Sequence, residues 1–396
     1  MTLPLEGIRV VEVAQYVAGP LAGSLLAELG ADVVKVEPPG GDAYRRVMPV
    51  ADGLGRYFVP LNRGKRSVVL DLKSAAGRAS LARLVGTADV VVHNAPPARA
   101  ATFGLGWDGL HHAHPALVVG VITSFGSHGP LAGLPAYDLV AQGHSGLLTS
   151  HAARGDRVPA RAGGIPMADL TAGHLLASGV LAALVRSRTK GEGQLVEVSL
   201  LGAALAVQIQ DLVWLEGEAE GGAAAATRAD LEARADEIAG GLAMNPYYRC
   251  YEAADGFLAV ACLNLAQREA LLALFHLDDP TIEAPDLVPG DPAILTGKQR
   301  LTAAIEGEIA AAPVEGWLAR LGAAGVPAGP VLSRGTVHGD EQVRANGLIQ
   351  DVTQPGLGPV SMLGGVFRVD GADPAETRAA PLLGADTDAV LAELGA

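Results

Sequence analysis

Short apolar runs alternate with amphipathic stretches along the first third of the chain, and this alternation constrains the fold most strongly. The runs have the length of buried strands and lie at residues 8–14, 31–36, 68–72, 89–92 and 117–123. Helical patterns occupy residues 20–29 and 75–84 between them. Strands that alternate with helices are joined by right-handed crossovers and run parallel. We therefore predict an α/β domain with a Rossmann-like parallel sheet.

The middle of the chain predicts more of the same and then an interruption. A helical pattern at residues 170–186 follows Asp169 directly, and residues 195–200 and 201–215 predict a further strand and helix. Residues 216–243 are acidic and rich in alanine and glycine, with few large apolar side chains. Such a segment buries too little apolar surface to fold alone. We interpret it as a linker.

A second, smaller unit of the α+β class is predicted to begin near Asn245. Its pattern is a strand at residues 257–262 followed by helices at 266–275, 297–311 and 314–321. From Gly329 onward the chain returns to short strands and turns.

Composition and charge exclude several classes of function. The formal net charge is −14, which argues against a nucleic-acid partner or an anionic membrane surface. We find neither a leader-like N-terminus nor an uninterrupted apolar stretch of membrane-spanning length. The only cysteines are Cys250 and Cys262, too few for a disulfide framework. We expect a cytoplasmic protein whose two thiols lie in its core.

Two motifs suggest chemistry but fail on inspection. Glu37 follows the second predicted strand at the distance of a ribose-binding carboxylate, yet the glycine fingerprint is missing and Pro20 lacks an N–H for phosphate. Residues 143–147 approach a nucleophile elbow around Ser145, but Leu147 replaces the last glycine and the preceding residues predict a helix.

Three histidines beside Pro115 also fail as a site. Their spacing puts no clean pair on one helix face, and no cysteine or carboxylate nearby completes a metal site. We interpret His111, His112 and His114 as a solvated helix end.

Asp169 is the strongest chemical candidate. It opens the long predicted helix, where an aspartate commonly caps the backbone amides. The same amides and the helix dipole favour an ionised carboxylate. Such a carboxylate can attack a carbonyl and form an acyl-enzyme. The residues around Asp169 leave both roles, cap and nucleophile, open.

Ordered blocks along nearly the whole chain show a family resemblance. They include residues 5–11, 18–20, 29–37, 65–73, 135–142, 164–173, 191–198, 251–256, 325–331 and 380–384. In these blocks the chain resembles the family III CoA transferases, a superfamily that also holds the 2-methylacyl-CoA racemases.

The resemblance implies an architecture. It predicts a homodimer of two interlocked rings, with a large domain at residues 1–215, the linker at 216–243, a small domain at 244–325 and a return to the large domain at 326–396.

The resemblance also implies a reaction. Asp169 would form a covalent aspartyl-CoA thioester while CoA moves from an acyl-CoA to a free carboxylic acid. CoA thioesters would be substrates, and no permanently bound cofactor or metal is expected. The residues predicted to contact CoA are Val17, Ala18, Leu70, Asp71, Leu72, Lys73, Asn94, Arg99, Ala136, Tyr137 and Asp138.

Three positions depart from the formyl-CoA transferase pattern. Val17 stands in place of a glutamine, Pro38 in place of an arginine, and Thr102 in place of an arginine near the CoA phosphates; Arg99, one helical turn away, is the candidate replacement. These departures argue against formate or oxalate, and Val17 and Pro38 favour a larger or more apolar acyl group.

Two alternatives to a transferase are considered. The related racemases carry a His-Asp pair where this chain has Tyr137-Asp138, and tyrosine is a poor base at neutral pH. Tyr137 therefore favours the transferase over the racemase. A non-catalytic CoA-binding protein is the other alternative, distinguished by the absence of a covalent adduct on Asp169.

Overall fold

Valine-rich segments form a six-stranded parallel sheet at the centre of the larger unit. Up to residue 206 the elements are β1 (Arg9–Val13), α1 (Ala18–Glu28), β2 (Asp32–Glu37), β3 (Pro49–Ala51), β4 (Leu54–Gly55), α2 (Phe58–Leu61), β5 (Arg66–Val69), α3 (Ala75–Val85), β6 (Val90–His93), α4 (Pro97–Phe103), α5 (Trp107–Ala113), β7 (Val118–Thr123), α6 (Asp138–His144), α7 (Leu147–Ser150), α8 (Met167–Lys190), β8 (Leu195–Ser199) and α9 (Leu200–Ala206). The computed structural model describes residues 3–150, 164–210, 212, 245–283, 292–370 and 376–395.

The later elements fall into two groups along the chain. The first comprises β9 (Tyr248–Ala253), β10 (Gly256–Ala261), α10 (Leu265–Leu274), α11 (Pro292–Ile309), α12 (Val314–Ala323) and β11 (Ala328–Pro330). The second comprises α13 (Glu341–Ala345), β12 (Ile349–Gln354), β13 (Gly358–Leu363) and α14 (Thr387–Glu393). The chain divides into one compact unit of residues 1–148, 161–220 and 338–396 and another of residues 149–160 and 221–337.

The parallel sheet has the order β5-β2-β1-β6-β7-β8. In chain order of its strands this is 3-2-1-4-5-6, the Rossmann arrangement, in which the direction of winding reverses between β1 and β6. Both neighbours of β1 pair with it in parallel register; Val10, for example, lies opposite Val33 and Val90. The prediction of a Rossmann-like parallel sheet is confirmed.

Both faces of the sheet are buried, which explains why its strands are almost continuously apolar. Alternate residues enter opposite layers: Val10 packs with α1, α8 and α9, whereas Val11 packs with α3, α4, α5 and α14. All five early strands predicted from the sequence are present, with ends shifted by three residues or fewer.

Helix α8 is long and apolar enough, by length and composition, to cross a membrane. Its buried residues Leu176, Val180 and Leu184 pack in the same core as Val10 and Leu26. In this unit it is therefore a core helix.

The helix predicted at residues 201–215 is shorter than expected, since α9 ends at Ala206. The apolar residues that follow, Val207 and Ile209, are exposed. Helices are held mainly by packing of an apolar face, and these side chains find no such packing in the described residues. The predicted linker at residues 216–243 lies outside the described residues.

The smaller unit is built on a three-stranded antiparallel sheet, β11-β10-β9. The strand predicted at 257–262 and the three predicted helices are present. Its core holds Trp317 and Tyr247 and includes a buried ion pair, in which Lys298 Nζ lies 2.6 Å from Asp279 Oδ2. Cys262 is buried, but Cys250 is exposed, because it lies on the outward face of β9; the prediction of two core thiols was wrong for Cys250.

Candidate active site

The carboxyl ends of the parallel strands meet at one edge of the larger unit, and the predicted site residues follow these strand ends. Open α/β sheets bind ligands at this edge, at the point where strand order reverses. Here that point lies between β1 and β6. The Asn94 side chain, after β6, joins the two strand ends there. Its Nδ2 donates to Gln15 O at 2.8 Å and its Oδ1 accepts from Gln15 N at 3.2 Å.

Tyr16 occupies a strained position in the same turn. Its φ is 72°, a left-handed conformation that residues with a Cβ rarely adopt. Its backbone N–H donates to Asp42 Oδ1 at 3.3 Å. Strain of this kind persists where the surroundings enforce it and is common at functional sites.

A buried ion cluster fixes Asp42. The Lys35 ammonium lies 2.9 Å from Asp42 Oδ2 and 2.9 Å from Glu12 Oε1, and it donates to Ala14 O at 2.8 Å. Burial opposes the charge of Lys35, but the carboxylates of Glu12 and Asp42 outweigh it and raise the lysine pKa. The turn after β1 is thus held by charges that water does not reach.

Tyr16 also begins a row of aromatic rings at the edge. Its ring centroid lies 5.5 Å from that of Tyr137 and 5.7 Å from that of Tyr44, both edge-to-face. The hydrogen bond with the Tyr137 side chain, followed by burial, raises the pKa of Tyr16. Tyr137 is 65% exposed, so it is not a core tyrosine. Nothing in the sequence identified Tyr16, because a positive φ at a tyrosine has no sequence signal.

Asp169 lies in the first turn of α8 and is half-buried. The residue before the helix is Pro166, whose side chain makes no hydrogen bond to the first amides of the helix. Instead, Asp138 Oδ1 accepts from Ala168 N at 3.0 Å and from Asp169 N at 3.3 Å. The cap of α8 is therefore supplied by Asp138, whereas the sequence allowed Asp169 to be the cap.

Asp138 is itself held in place. It is 5% exposed, and its Oδ2 accepts from Gln142 Nε2, one turn later on α6, at 2.7 Å. The sequence predicted that Asp138 contacts CoA and did not identify its capping role, because Asp138 and Asp169 are 31 positions apart. Gln142 acquires its role only through this cap, so it was not identified either.

The other predicted CoA contacts fall into two groups. Val17, Ala18, Leu70 and Leu72 are buried, while Asp71, Lys73 and Arg99 are exposed. Ala136 is anchored to the end of β7, where its N–H donates to Ser124 Oγ at 2.9 Å. All follow carboxyl ends of strands, and their contacts with CoA stay predictions.

The dinucleotide interpretation fails in the structure as well. Glu37 is buried, and its carboxylate accepts from Arg45 at 2.6 and 2.7 Å and from Ser67 Oγ at 2.7 Å. Burial alone would raise the pKa of Glu37. The Arg45 hydrogen bond and the charges of Lys35 and Arg45 together outweigh burial, so the pKa is lowered. Glu37 is a structural carboxylate and is occupied by protein groups.

The remaining motifs are structural too. Ser145 follows α6 rather than a strand, and its hydroxyl donates to Gln142 O. His111 and His112 are exposed at the end of α5. Within the described ranges no three His, Cys, Asp or Glu side chains group together as a metal site would require.

A cavity of about 410 Å³ opens at the opposite edge of the sheet. It is lined by residues that precede strands, such as Leu3, Gly30 and Gly64, and by the buried pair Glu28–Arg63. No predicted site residue lines it, so its size does not make it the site.

The chain is similar to known proteins along nearly its whole length. The model of the family "CoA-transferase family III" matches residues 5–387. A succinate–glutarate CoA-transferase of Agrobacterium fabrum is 34% identical, over 99% of this chain and 96% of its own length. A formyl-CoA:oxalate CoA-transferase of Streptomyces avermitilis is 31% identical, over 100% of this chain and 96% of its own.

Solved structures show the same fold. A CAIB/BAIF family protein from Brucella suis superposes with a TM-score of 0.80 at 29% identity, covering 100% of both chains. The Rv3272 protein of Mycobacterium tuberculosis gives a TM-score of 0.78 at 27% identity, covering 98% of this chain and 99% of its own. With a family match along almost its full length and relatives named as CoA transferases, this chain is an enzyme of the CoA-transferase family III.

Proposed function

We propose that this enzyme moves CoA from an acyl-CoA thioester to a free carboxylic acid through a covalent aspartyl-CoA thioester on Asp169. One observation carries the assignment: Asp169 stands at the start of α8 while Asp138 caps the amides there. The structural role that an aspartate usually has at such a position is already filled.

The reaction needs only exchange of carboxylate and thiolate. An Asp169 oxygen attacks the donor thioester carbonyl, the C–S bond breaks, and CoA thiolate leaves a mixed anhydride. The thiolate then attacks the aspartyl carbonyl and releases the donor acid. The acceptor acid reverses both steps and regenerates the Asp169 carboxylate. No proton or electron is gained or lost, so positioning and stabilisation of the oxyanion supply the catalysis.

A short dicarboxylic acid is the acceptor we favour. The relative from Agrobacterium is named for succinate and glutarate. Val17 and Pro38 in this chain argue for an acid larger than oxalate. The phenols of Tyr16 and Tyr137 are adjacent, and the positive charge of Arg46 acts on Tyr16. These groups suit the distal carboxylate of such an acid.

The test is to trap the intermediate. Incubation with succinyl-CoA followed by hydroxylamine should leave a hydroxamate on the Asp169 peptide, detectable by mass spectrometry, with release of CoA thiol. Asp169→Ala should lose the adduct and more than about a thousandfold of kcat. Asp108→Asn alters an exposed aspartate in the first turn of α5 and should leave both unchanged.

The outcomes separate the alternatives. Saturable CoA binding without label at Asp169 would favour a binding protein. Solvent deuterium at the α-carbon of a 2-methylacyl-CoA, without an acceptor acid, would favour a racemase. Label at Asp169 with exchange to glutarate but not to a monocarboxylic acid supports the dicarboxylate acceptor.

We also propose that the enzyme works as an interlocked homodimer in the cytoplasm. The described residues that follow α9 expose several apolar side chains, among them Ile209, which is 74% exposed. Exposed apolar runs of this kind mark surfaces that a partner covers. The occupant we favour is a second copy of this chain.

A further inference from the structure

We propose that Asp138 is a positioning residue for the nucleophile: its buried carboxylate fixes the backbone of Asp169, and Gln142 orients that carboxylate. This inference rests on the proposed role of Asp169. It assigns to Asp138 a function within the protein that differs from the CoA contact predicted for it.

The start of α8 requires an acceptor from elsewhere. The first amides of any helix lack partners within the helix, and Pro166 at the cap position has no polar side chain. Ala168 is fully buried, where an unpaired N–H is destabilising because water cannot satisfy it. Asp138 Oδ1 satisfies both Ala168 N and Asp169 N. A charged acceptor makes these bonds stronger than a neutral one would.

The contact links Asp169 to the sheet. Ser124, directly after β7, uses its Oγ to accept from Ala136 N at 2.9 Å and to donate to Ala136 O at 3.3 Å. Ala136 therefore sets the path of the chain into Tyr137 and Asp138. The position of the Asp138 carboxylate in turn fixes the backbone of Asp169, whose side chain carries the reacting oxygen.

Gln142 fixes the direction in which the carboxylate points. Its Nε2 donates to Asp138 Oδ2 at 2.7 Å, which leaves Oδ1 directed at the two amides. Gln142 is 1% exposed, so it holds this geometry without competition from water. An error of about 1 Å in the position of a reacting group can lower a rate about a hundredfold.

Three variants test the proposal with succinyl-CoA and glutarate. Asp138→Ala should lower kcat and the rate of hydroxamate formation at Asp169 about a hundredfold, with KM for succinyl-CoA within about threefold of wild type. Asp138→Asn keeps an acceptor for both amides, because the Gln142 amide can turn to accept from the asparagine, and should stay within about tenfold of wild type. Gln142→Ala keeps the capping carboxylate but removes the group that orients it. Its kcat should lie between those of Asp138→Ala and Asp138→Asn.

The matched control is Asp340→Ala, which removes another aspartate cap, on α13, and should leave kcat unchanged. The proposal is overturned if Asp138→Ala keeps kcat within about threefold of wild type, if Asn is as impaired as Ala, or if the loss appears only in KM. If Asp138→Ala fails to fold, Gln142→Ala decides: a kcat within about threefold of wild type, or a loss that appears only in KM, overturns the proposal. Failure of the proposed function is a separate result, because wild type itself would then form no adduct at Asp169.

Discussion

His93 ends β6 at the carboxyl edge, and its imidazole is buried. Its Nδ1 has no hydrogen-bond partner in the described part of the chain. Burial disfavours the charged form and lowers the pKa to about 4, although a backbone hydrogen bond with Leu105 opposes this. The folded protein thus keeps His93 neutral at pH values where the unfolded chain is protonated.

This residue should make stability depend on pH. Between about pH 6.5 and pH 4 the unfolded state binds more protons at His93 than the folded state does. The free energy of unfolding should therefore decrease as the pH is lowered through this range, by up to about 3 kcal/mol. Urea denaturation of His93→Gln across this range should show a shallower decline than wild type. His112→Gln, at an exposed position on α5, should retain the wild-type slope; equal slopes for all three proteins would contradict the assignment.

At the residue scale, the sequence located the nucleophile candidate but not what holds it. Asp169 could be found because helix starts and flanking small residues are local features. The cap by Asp138 depends on α6 lying against the start of α8, and the left-handed Tyr16 depends on Asp42 and Asn94. Contacts of this kind arise only after the sheet has formed.

Close approach of two helices positions the start of α8. A Cβ added to Gly173 would lie 2.8 Å from the carbonyl oxygen of Ala18 and 3.0 Å from Leu21. The neighbouring Ala172 is fully buried. Small residues on α8 thus let it pack against the first turn of α1, one turn beyond Asp169.

Gly173→Ala should therefore destabilise the protein although alanine favours helices. Backbone cannot yield easily to the added methyl, and overpacking costs about 1–3 kcal/mol. We expect a lower thermal midpoint and a lower kcat, because α8 must shift. Gly109→Ala, in α5 with nothing within 4 Å of its added Cβ, should instead gain about 0.5–1 kcal/mol. A stabilised Gly173→Ala would show that the helices can separate without cost.

At the scale of whole elements, prediction succeeded where burial and pattern agree. Strands buried on both faces give apolar runs that need no partner to be recognised. The helix at 201–215 was overextended because its apolar pattern continues past Ala206 while packing in the described residues does not. Periodicity records which side chains are apolar, not whether a neighbour covers them.

The whole larger unit is closed by contacts between the two ends of the chain. Glu393 near the C-terminus bonds Arg9 at 2.7 Å and Arg66 at 2.6 Å, and Asp386 accepts from Ser67 N at 2.8 Å. The order of strands likewise joins distant segments, as Val10 pairs with Val90. Strand order could not be predicted from the residues alone, because winding to either side of β1 buries the same apolar faces.

An interlocked dimer has a consequence that an ordinary dimer lacks. Rings that thread each other can separate only if a chain unfolds, so subunits should not exchange under native conditions. We expect light scattering to give twice the 40.3 kDa chain mass. Tagged and untagged dimers mixed in the native state should give no mixed species, whereas joint unfolding in urea and refolding should give them.

Co-expression of the two forms provides the control, because it must yield mixed dimers if the tag is tolerated. If light scattering gives the mass of one chain, the proposal of a homodimer is wrong. A dimer that exchanges subunits within hours would retain the partner on the apolar surface but exclude the threading. Since exchange through an unfolded chain is limited by the unfolding rate, a destabilising change such as Gly173→Ala should speed it in an interlocked dimer. In a dimer that merely docks, exchange would instead follow dissociation and depend on dilution.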